Sequence, residues 1–547
     1  MAQTQKSLFT YLNEHKSKAL GLAAINFTNS ALQTLGGIAS ANALTVLVAG
    51  HFQSFLLWIT IMLVSYLLFA LGMYFSIYHL TLVKQAVNTS IRRDITERIA
   101  KSSYGNYHQR QAGDYSSWMS NDLSIIDSEG IENFFAIVTA ITDVVLASLT
   151  LAYFHYSILI TVFVLSIVMM VLPKVFQKAL SQTSLKRTQA NERLMSRIED
   201  LLEGFNALFM LNARSLIVAK TVAASKEANH AFETRSKVFG KMMATVNGMS
   251  IISQVIVLAQ AGFLIFLKLT PIGAVSAAQY FSGTIFSQLT GISANWAELK
   301  ATASIMTKFT DLPTADKTAS LPTAAPFHTA ITIQQVDFSY QGKNILRHLN
   351  LTIKKGAKYA LIGPSGAGKS TLLALLATKL TDYQGRITLD GADYKTLDPG
   401  SIRNQLYELD QDPYIFNDSL KNNITMTRPV SQDLLQSAID QAGLADLIKS
   451  LPDGLQTQLA HNGSDLSGGQ KQRIVLARGL VSGRSIFLVD EGTSALDPAS
   501  ADQIENSLIN DPAITLLMVT HHLKPEIANR MDRVFTIQNQ QLRPAAD

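Results

Sequence analysis

The sequence predicts a multidomain membrane protein: an all-α membrane domain of six helices followed by a soluble α/β domain. Three observations carry this prediction. The first half contains long stretches almost free of charge, a Pro- and Thr-rich stretch follows them, and a strand-like run then enters a glycine-rich loop. The chain has 547 residues, too many for one hydrophobic core, since a domain usually holds roughly 150.

Charge-free intervals locate the membrane helices. No Asp, Glu, Lys or Arg lies between Lys18 and Lys84, and Asp143 is the single one between Glu132 and Lys174. The interval between Lys241 and Lys268 and the interval between Lys268 and Glu298 are also uncharged. A helix needs roughly 20 apolar residues to cross a bilayer, so the first two intervals hold two helices each and the last two hold one each. The predicted spans are roughly Ala19 to Gly50, Phe55 to Val83, Asn133 to Phe154, Ser157 to Pro173, Met242 to Leu267 and Ile272 to Trp296.

Basic residues predict the orientation. They concentrate in the two long polar segments, Lys84 to Glu132 and Lys174 to Lys241, whereas the short turns around His51 and His155 have none. Because cytoplasmic loops carry the Lys and Arg excess, we expect both termini and the soluble domain to be cytoplasmic, in a multi-pass protein of the cell membrane. The formal charge of +5 then follows from topology and gives no reason to expect a nucleic-acid partner.

The chain contains no cysteine, which excludes disulfides, thiolate metal sites and cysteine-protease chemistry. The N-terminal segment is polar, and the first apolar stretch is too long for a cleaved signal sequence, so we expect the first helix to remain as an anchor. Composition predicts four segments: a cytosolic N-terminal segment 1–18, a transmembrane domain 19–305, a linker 306–330 and a nucleotide-binding domain 331–547.

The soluble domain reads as an α/β P-loop NTPase. The apolar run Tyr359 to Ile362 enters a glycine-rich loop that opens a helix predicted over Ser370 to Leu380, and later apolar runs at Ser485 to Val489 and Ile514 to Val519 are typical of buried parallel strands. In such a loop, backbone N–H groups approach phosphate oxygens, Lys369 neutralises phosphate charge and the Ser370 hydroxyl binds Mg²⁺. We therefore predict an ATP and Mg²⁺ site at Gly363, Pro364, Ser365, Gly366, Ala367, Gly368, Lys369, Ser370 and Thr371.

An acidic pair follows the apolar strand near residue 489. Asp490 is placed to hold Mg²⁺, and Glu491 to polarise the attacking water as general base. A solvated acidic pair at a strand end is the alternative reading. The position after a buried strand, downstream of the phosphate loop, favours the catalytic one.

The run Leu466-Ser467-Gly468-Gly469-Gln470 completes a recognisable set. With the phosphate loop and Asp490-Glu491, it makes residues 331–547 resemble the nucleotide-binding domain of ABC transporters, and the full chain resembles a bacterial half-size ABC exporter. The resemblance implies that Ser467, Gly468, Gly469 and Gln470 contact the ATP held by a partner subunit. Function then requires a dimer with two ATP sites at the interface.

The same resemblance implies further roles. Tyr340 matches the aromatic that stacks on adenine, with a core tyrosine as the competing reading; Gln411 matches a glutamine that contacts Mg²⁺; and His521, followed by His522, matches the histidine that contacts the γ-phosphate. Residues 494–497 match the loop that crosses the dimer interface, and coupling helices are expected at Gly113 to Asp122 and Gly204 to Asn212. Two positions depart from the family: Thr457 to Gly463 lacks the usual Glu, and Gly492 replaces Ala.

The expected function is ATP-driven export of a hydrophobic, amphipathic or peptide solute. A second copy of the chain is the favoured partner, with a related half-transporter as the alternative. Import through the same fold, or a regulatory membrane ATPase that moves no solute, remain alternative functions.

Polar residues within the predicted spans leave two questions open. Asn26, Asn29 and Gln33 share one face of the first helix, and Asn247, Ser250 and Gln254 share one face of the fifth; they line a solute path or hydrogen-bond between helices. Asp143 is a functional-site hypothesis because acids within membrane spans are costly. Cation binding and a structural pair with an amide are its two readings.

Overall fold

The computed structural model describes residues 6–310, 321–340, 342–490, 498–520 and 523–545. The chain forms two compact units, one of Met1–Glu97 with Gln111–Leu312 and the other of Arg98–Arg110 with Pro313–Asp547. The first, the membrane unit, is helical and the second, the soluble unit, is α/β. The predicted fold class is therefore confirmed.

The N-terminal part of the chain is helical throughout, with short breaks. The helices are α1 (Leu8–Glu14), α2 (Lys16–Val48), α3 (Phe52–Lys101), α4 (Tyr104–Tyr107), α5 (Ala112–Ser117), α6 (Leu123–Ile125), α7 (Asn133–Phe154), α8 (Tyr156–Val171), α9 (Gln177–Glu203), α10 (Phe205–Met210), α11 (Ser215–Phe266) and α12 (Ala274–Thr310). Two π-helical turns, Trp118–Asp122 and Ile126–Glu132, join α5, α6 and α7 end to end, and a 3₁₀ turn, Leu172–Phe176, joins α8 to α9.

Among the described residues, five helical stretches are long and apolar enough to cross a membrane: Lys16–Val48, Phe52–Lys101, Ala112–Phe154, Tyr156–Glu203 and Ser215–Phe266. The sixth predicted span lies largely in α12, a helix of 37 residues that is not among these five. The longest helix, α11, has 52 residues and extends about 78 Å at 1.5 Å per residue. This exceeds the bilayer core of about 30 Å, so the polar part of α11 continues its membrane-spanning part as one helix.

The core of the membrane unit lies where α7 packs along α12 and α2. Phe281, Ile285 and Phe286 of α12 are almost fully buried there, beside Leu151 of α7 and Val257 of α11. By contrast, only 6% of the most apolar 18-residue stretch of α3 is buried. Lipid or another chain must cover that surface, since exposed apolar helices are stable in hydrocarbon and not in water.

The soluble unit contains two sheets. Its strands are β1 (Ala330–Tyr340), β2 (Lys343–Lys354), β3 (Lys358–Ile362), β4 (Gln384–Leu389), β5 (Ala392–Asp393), β6 (Leu406–Leu409), β7 (Ile486–Asp490), β8 (Thr515–Val519), β9 (Arg533–Gln538) and β10 (Gln541–Pro544). Its further helices are α13 (Lys369–Leu376), α14 (Pro399–Arg403), α15 (Leu420–Thr425), α16 (Gln432–Gln441), α17 (Ala445–Ser450), α18 (Gly468–Val481), α19 (Pro498–Asn510) and α20 (Pro525–Ala528).

Strand order determines which loops meet. The larger sheet has the order β10-β9-β3-β8-β7-β6 and is parallel from β9 to β6, while the smaller sheet, β2-β1-β4-β5, is antiparallel. Parallel strands end at the same edge of a sheet, where ligands bind in open α/β folds. The segments that follow β3, β6 and β7 therefore share one edge.

Candidate nucleotide-binding site

The loop between β3 and α13 requires glycine at two positions. Gly363 has φ +146° and Gly368 has φ +101°, conformations that side chains rarely adopt. A Cβ on Gly363 would lie 2.7 Å from the carbonyl oxygen of Ile537, and one on Gly368 would lie 2.8 Å from the Leu346 side chain. The loop backbone is thus held close to its neighbours, and α13 begins directly after it with its partial positive charge.

Lys369 is the first residue of α13 and is 5% exposed. Its Nζ donates to the carbonyl oxygens of Gly363 and Pro364, each at 2.9 Å. A buried ammonium held by neutral carbonyl groups of its own loop can exchange those hydrogen bonds for phosphate oxygens at little structural cost. Ser365, Gly366 and Ser370 are exposed beside it, so the loop fits a polyphosphate.

The three predicted metal ligands lie on elements that end at one sheet edge. Asp490 is the last residue of β7, and Gln411 follows β6, whose Leu409 pairs with Val489 of β7. Ser370 is exposed in the first turn of α13. A carboxylate, an amide and a hydroxyl suit Mg²⁺, which keeps waters and substrate phosphates as its other ligands. Within the described ranges, no group of three or more His, Cys, Asp or Glu side chains could hold a metal alone.

Tyr340 ends β1 and is 52% exposed. Its ring meets that of Phe338 edge-on, with centroids 5.2 Å apart and planes at 85°. This exposure argues against the core-tyrosine reading and leaves ring surface that a base could stack on.

The signature residues form the start of α18. Ser467 is its N-cap: its hydroxyl accepts from the Gln470 N–H at 3.3 Å, and the Gln470 side chain accepts from the Ser467 N–H at 2.8 Å. This reciprocal capping box fixes the first turn. Ser467 and Gly468 are exposed, so the positive end of α18 is available to an anion.

The phosphate loop and the signature belong to different parts of the hydrophobic core. Leu372 and Leu376 of α13 lie in a cluster beneath the antiparallel sheet. Ile474 and Leu476 of α18 lie in a second cluster with α15 and α16. The two phosphate-facing helices are therefore fixed by separate packing.

Arg478 is a residue that motif reasoning missed. It is half-buried within α18, and its guanidinium donates to the carbonyl oxygens of Asn423, at 2.8 Å, and of Tyr414, at 3.2 Å. Tyr414 follows Gln411 by three residues, so Arg478 ties the signature helix to the segment that carries Gln411. Burial lowers the pKa of Arg478, yet an arginine remains charged at neutral pH.

A segment from the first polar loop belongs to the soluble unit. Residues Arg98–Arg110 group with it, and residues Ile99 to Tyr107 line a cavity of about 1050 Å³ that Tyr340 and Lys379 also line. Lys379 lies over the Tyr104 ring, with Nζ 5.4 Å from its centroid, and pairs with Glu408 at 2.7 Å. Burial raises the pKa of Glu408; for Lys379 burial acts against the shift, but the hydrogen bond to Glu408 raises its pKa.

Gly113 to Asp122, expected as a coupling helix, lies in α5 and the π turn of the membrane unit. Its coupling role stays a prediction. The second expected coupling segment, Gly204 to Asn212, contains the short helix α10, and whether it couples stays a prediction.

Several predicted site residues lie outside the described residues. These are the general base Glu491, the histidines His521 and His522, and residues 492–497.

Two of the polar residues singled out in the membrane unit, Asn26 and Asp143, hydrogen-bond to other helices. The Asn26 side chain donates to Thr139 at 3.1 Å and accepts from Ser76 at 2.6 Å, which supports the interhelical reading for that residue. Asp143 is 7% exposed and accepts from the Gln288 amide at 2.6 Å. The predicted pair with an amide is present.

The phosphate loop, the capped signature helix and the helical unit define a membrane protein with a P-loop ATP-binding domain. Residues 17–289 match the family model of the ABC transporter transmembrane region, and residues 346–494 match that of the ABC transporter. The chain belongs to the ABC transporter family, with the two parts of a half-size exporter in one polypeptide. Its class of activity is ATP hydrolysis coupled to transport.

Known proteins agree with this assignment. The chain is 28% identical over 499 residues to the ATP-dependent lipid A-core flippase of Alcanivorax borkumensis, covering 88% of this chain and 83% of that protein. The flippase of the same description from Desulfotalea psychrophila is 38% identical over 187 residues, 34% of this chain and 33% of that protein. A solved structure of a bacterial Atm1-family ABC exporter with ATP bound superposes with a TM-score of 0.80 at 21% identity, over 97% of this chain and 94% of that chain. The last likeness shows the shared fold.

Proposed function

We propose that two copies of this chain form a homodimer that hydrolyses ATP at two interface sites and exports a hydrophobic or amphipathic solute from the cytoplasm. The exposed, capped N-terminus of α18 carries the proposal. Ser467 and Gly468 face outward from a helix whose core packing is separate from that of α13. A second chain can then bring its phosphate loop to this surface.

In each site, the residues of one chain would hold the nucleotide. The loop Gly363 to Thr371 cradles the phosphates, Lys369 neutralises their charge, and Tyr340 stacks on the adenine. Ser370, Gln411 and Asp490 hold Mg²⁺, which supplies charge neutralisation at the phosphates when bound.

The partner chain would complete the site with Ser467, Gly468, Gly469 and Gln470. Glu491 follows Asp490 in sequence and accepts the proton of the attacking water, while His521 contacts the γ-phosphate. Catalysis of this type is positioning plus electrostatic stabilisation, so residues on both sides of the nucleotide must be in place together.

Two further observations support the proposed orientation and the proposed class of solute. The Lys and Arg excess of the long polar segments favours a cytoplasmic soluble unit. The relatives named as lipid A-core flippases move an amphipathic lipid, which favours solutes of that chemistry for this chain.

Complementation between two inactive variants tests the composite site. Lys369→Gln removes the phosphate loop function and keeps the signature, whereas Ser467→Arg blocks the signature and keeps the loop. Each variant purified alone in nanodiscs should lose ATPase activity, and coexpressed chains carrying different affinity tags should regain part of it. The mixed dimer then contains one intact site.

Two controls make the outcome decisive. A double variant, Lys369→Gln with Ser467→Arg in one chain, should rescue neither single variant, because every site in its mixed dimers has an altered phosphate loop, a blocked signature or both. Well-folded mixed dimers of the single variants with no activity would contradict the composite site. ATP-dependent movement of a fluorescent lipid in proteoliposomes tests export, and this movement should be lost in Glu491→Gln. Inward movement would make the chain an importer.

A further inference from the structure

Asp143 lies at the centre of a polar cluster within the membrane unit. It sits midway along α7, where its carboxylate accepts from the Gln288 amide of α12 at 2.6 Å. The Ser30 side chain of α2 interacts with the same carboxylate. Three helices therefore contribute to one buried charge.

Close helix packing positions Tyr280 near this charge and Tyr66 beside Tyr280. A Cβ on Gly37 would lie 2.8 Å from the Tyr280 ring, and one on Gly36 would lie 2.7 Å from the Tyr66 ring. Glycine thus lets both rings pack against the backbone of α2. The Tyr280 side chain interacts with those of Tyr66 and Gln33 and lies within electrostatic range of Asp143.

A cavity of about 10 Å³ lies beside the carboxylate, lined among others by Gln33, Thr34, Asp143, Tyr280 and Thr284. A cavity of this size is about the smallest that holds one water molecule. The cavity is too small for an organic ammonium group, so it is not a binding pocket for a transported amphipath.

The hydroxyl groups on the cavity wall present lone pairs. The Thr34 hydroxyl donates to the carbonyl oxygen of Ser30 at 2.8 Å, and the Thr284 hydroxyl donates to that of Tyr280 at 3.1 Å. Each hydroxyl has one proton, and it is committed to the helix backbone. The oxygens of Thr34, Thr284 and Asp143 therefore act as acceptors toward the cavity.

Charge selects the occupant. Across the described part of the chain, no Lys, Arg or His forms an ion pair with Asp143. A buried carboxylate requires compensation, and oxygen donors are the ligands of hard cations. One carboxylate balances a single positive charge. We propose that the Asp143 cluster binds a monovalent metal cation of the size of sodium between α2, α7 and α12.

Radioactive sodium binding tests the site directly. The full chain, purified in nanodiscs, is titrated with ²²Na⁺ at constant ionic strength balanced by N-methylglucamine. We expect saturable binding of one ion per chain, with lithium competing well and the larger potassium ion competing weakly. Asp143→Asn should abolish the binding.

A matched pair of hydroxyl deletions separates the site from general damage. Thr34→Val removes a cavity oxygen and should weaken sodium binding severalfold. Thr142→Val removes a hydroxyl that makes the same bond to its own helix, at 3.0 Å to Val138, without lining the cavity, and should leave binding unchanged. Sodium should also raise the thermal unfolding midpoint of the wild type and not that of Asp143→Asn.

Three results would overturn the proposal. They are the absence of saturable sodium binding to the folded wild type, equal binding by Asp143→Asn, and equal weakening by the two threonine variants. The first would leave Asp143 as a carboxylic acid that carries a proton in a structural pair with Gln288. None of these results bears on ATP hydrolysis at the phosphate loop, so the proposed transport function is tested separately.

Discussion

Lys369 in the soluble unit and Asp143 in the membrane unit are both buried ionisable groups, at 5% and 7% exposure. Both form hydrogen bonds to neutral groups. Their surroundings arise differently. Lys369 bonds to carbonyls five and six residues before it in the same loop, whereas Asp143 bonds to Gln288, 145 residues away. A local cage forms with the loop itself, but the Asp143 cluster exists after three helices have packed.

The two charges should also differ in how much activity depends on them. Lys369→Gln should lower ATPase activity by at least about 100-fold, because it removes the cation that faces the phosphates. Phosphate release by the full chain in nanodiscs measures this. Lys355→Gln, an exposed lysine in the turn before β3, is the matched control and should keep full activity. Residual activity above a tenth in Lys369→Gln would remove the lysine from the proposed site.

Stability should be more sensitive to the membrane cluster. Gln288→Leu leaves the Asp143 carboxylate without its amide donor and should destabilise the chain by about 1–3 kcal/mol. Asp143→Asn removes the charge that must be buried and should cost less in sodium-free buffer. Thermal unfolding of both variants in nanodiscs compares them. A larger loss in Asp143→Asn than in Gln288→Leu would mean that the charge itself stabilises the helix packing.

A comparison of two helix caps separates the structural role of Ser467 from its proposed role in ATP binding. Ser467 caps α18, and Ser431 caps α16 through the N–H of Leu434 at 3.4 Å. Either serine replaced by alanine should cost about 1 kcal/mol of stability. We expect Ser467→Ala alone to lower ATPase activity also, by roughly tenfold. Equal ATPase activity in the two variants would reduce Ser467 to a structural cap.

A third carboxylate, Asp390, gives a contrast in pH dependence. It accepts from the N–H groups of His328, Thr329 and Ala330 at 2.6–2.9 Å. Burial acts to raise the pKa of Asp390, but these backbone donors hold it below its usual range. A lowered carboxyl pKa stabilises the fold above the ordinary value near 3.9, and this contribution is lost as the pH falls through the lowered pKa.

Asp390→Asn should therefore lower the unfolding midpoint by a few degrees at pH 7. The difference from wild type should persist at pH 5 and shrink below about pH 4. A difference that does not change with pH would assign the effect to hydrogen-bond geometry rather than to charge.

Several elements could be predicted because their signals are local. The charge-free intervals gave the six spans, and α2 and α7 begin within a few residues of their predicted starts. The run Tyr359 to Ile362 became β3, and α13 begins one residue before its predicted start but ends at Leu376 rather than Leu380. That helix ends early because Thr378 adopts a left-handed φ of +56°, which a pattern of apolar residues does not reveal.

Other features depend on residues far apart in the chain. Tyr104 lies near Lys379, and nothing in the sequence around either residue names the other. The grouping of Arg98–Arg110 with the soluble unit could therefore not be predicted from the sequence. The hydroxyls of Thr34 and Thr284 become cavity acceptors for a similar reason, since their helices must pack against α7 first.

The sequence by itself determined the family, the order of membrane and soluble domains, and the phosphate loop and signature, because each depends on contiguous residues and on backbone conformations that glycine and capping serine set locally. The tertiary structure decided that Arg98–Arg110 groups with the soluble unit, that Arg478 joins the signature helix to the Gln411 segment, and that Asp143 is enclosed by neutral donors and acceptors. Helix packing and sheet order bring these groups together, and the cost of burying a charge depends on those partners rather than on neighbours in sequence.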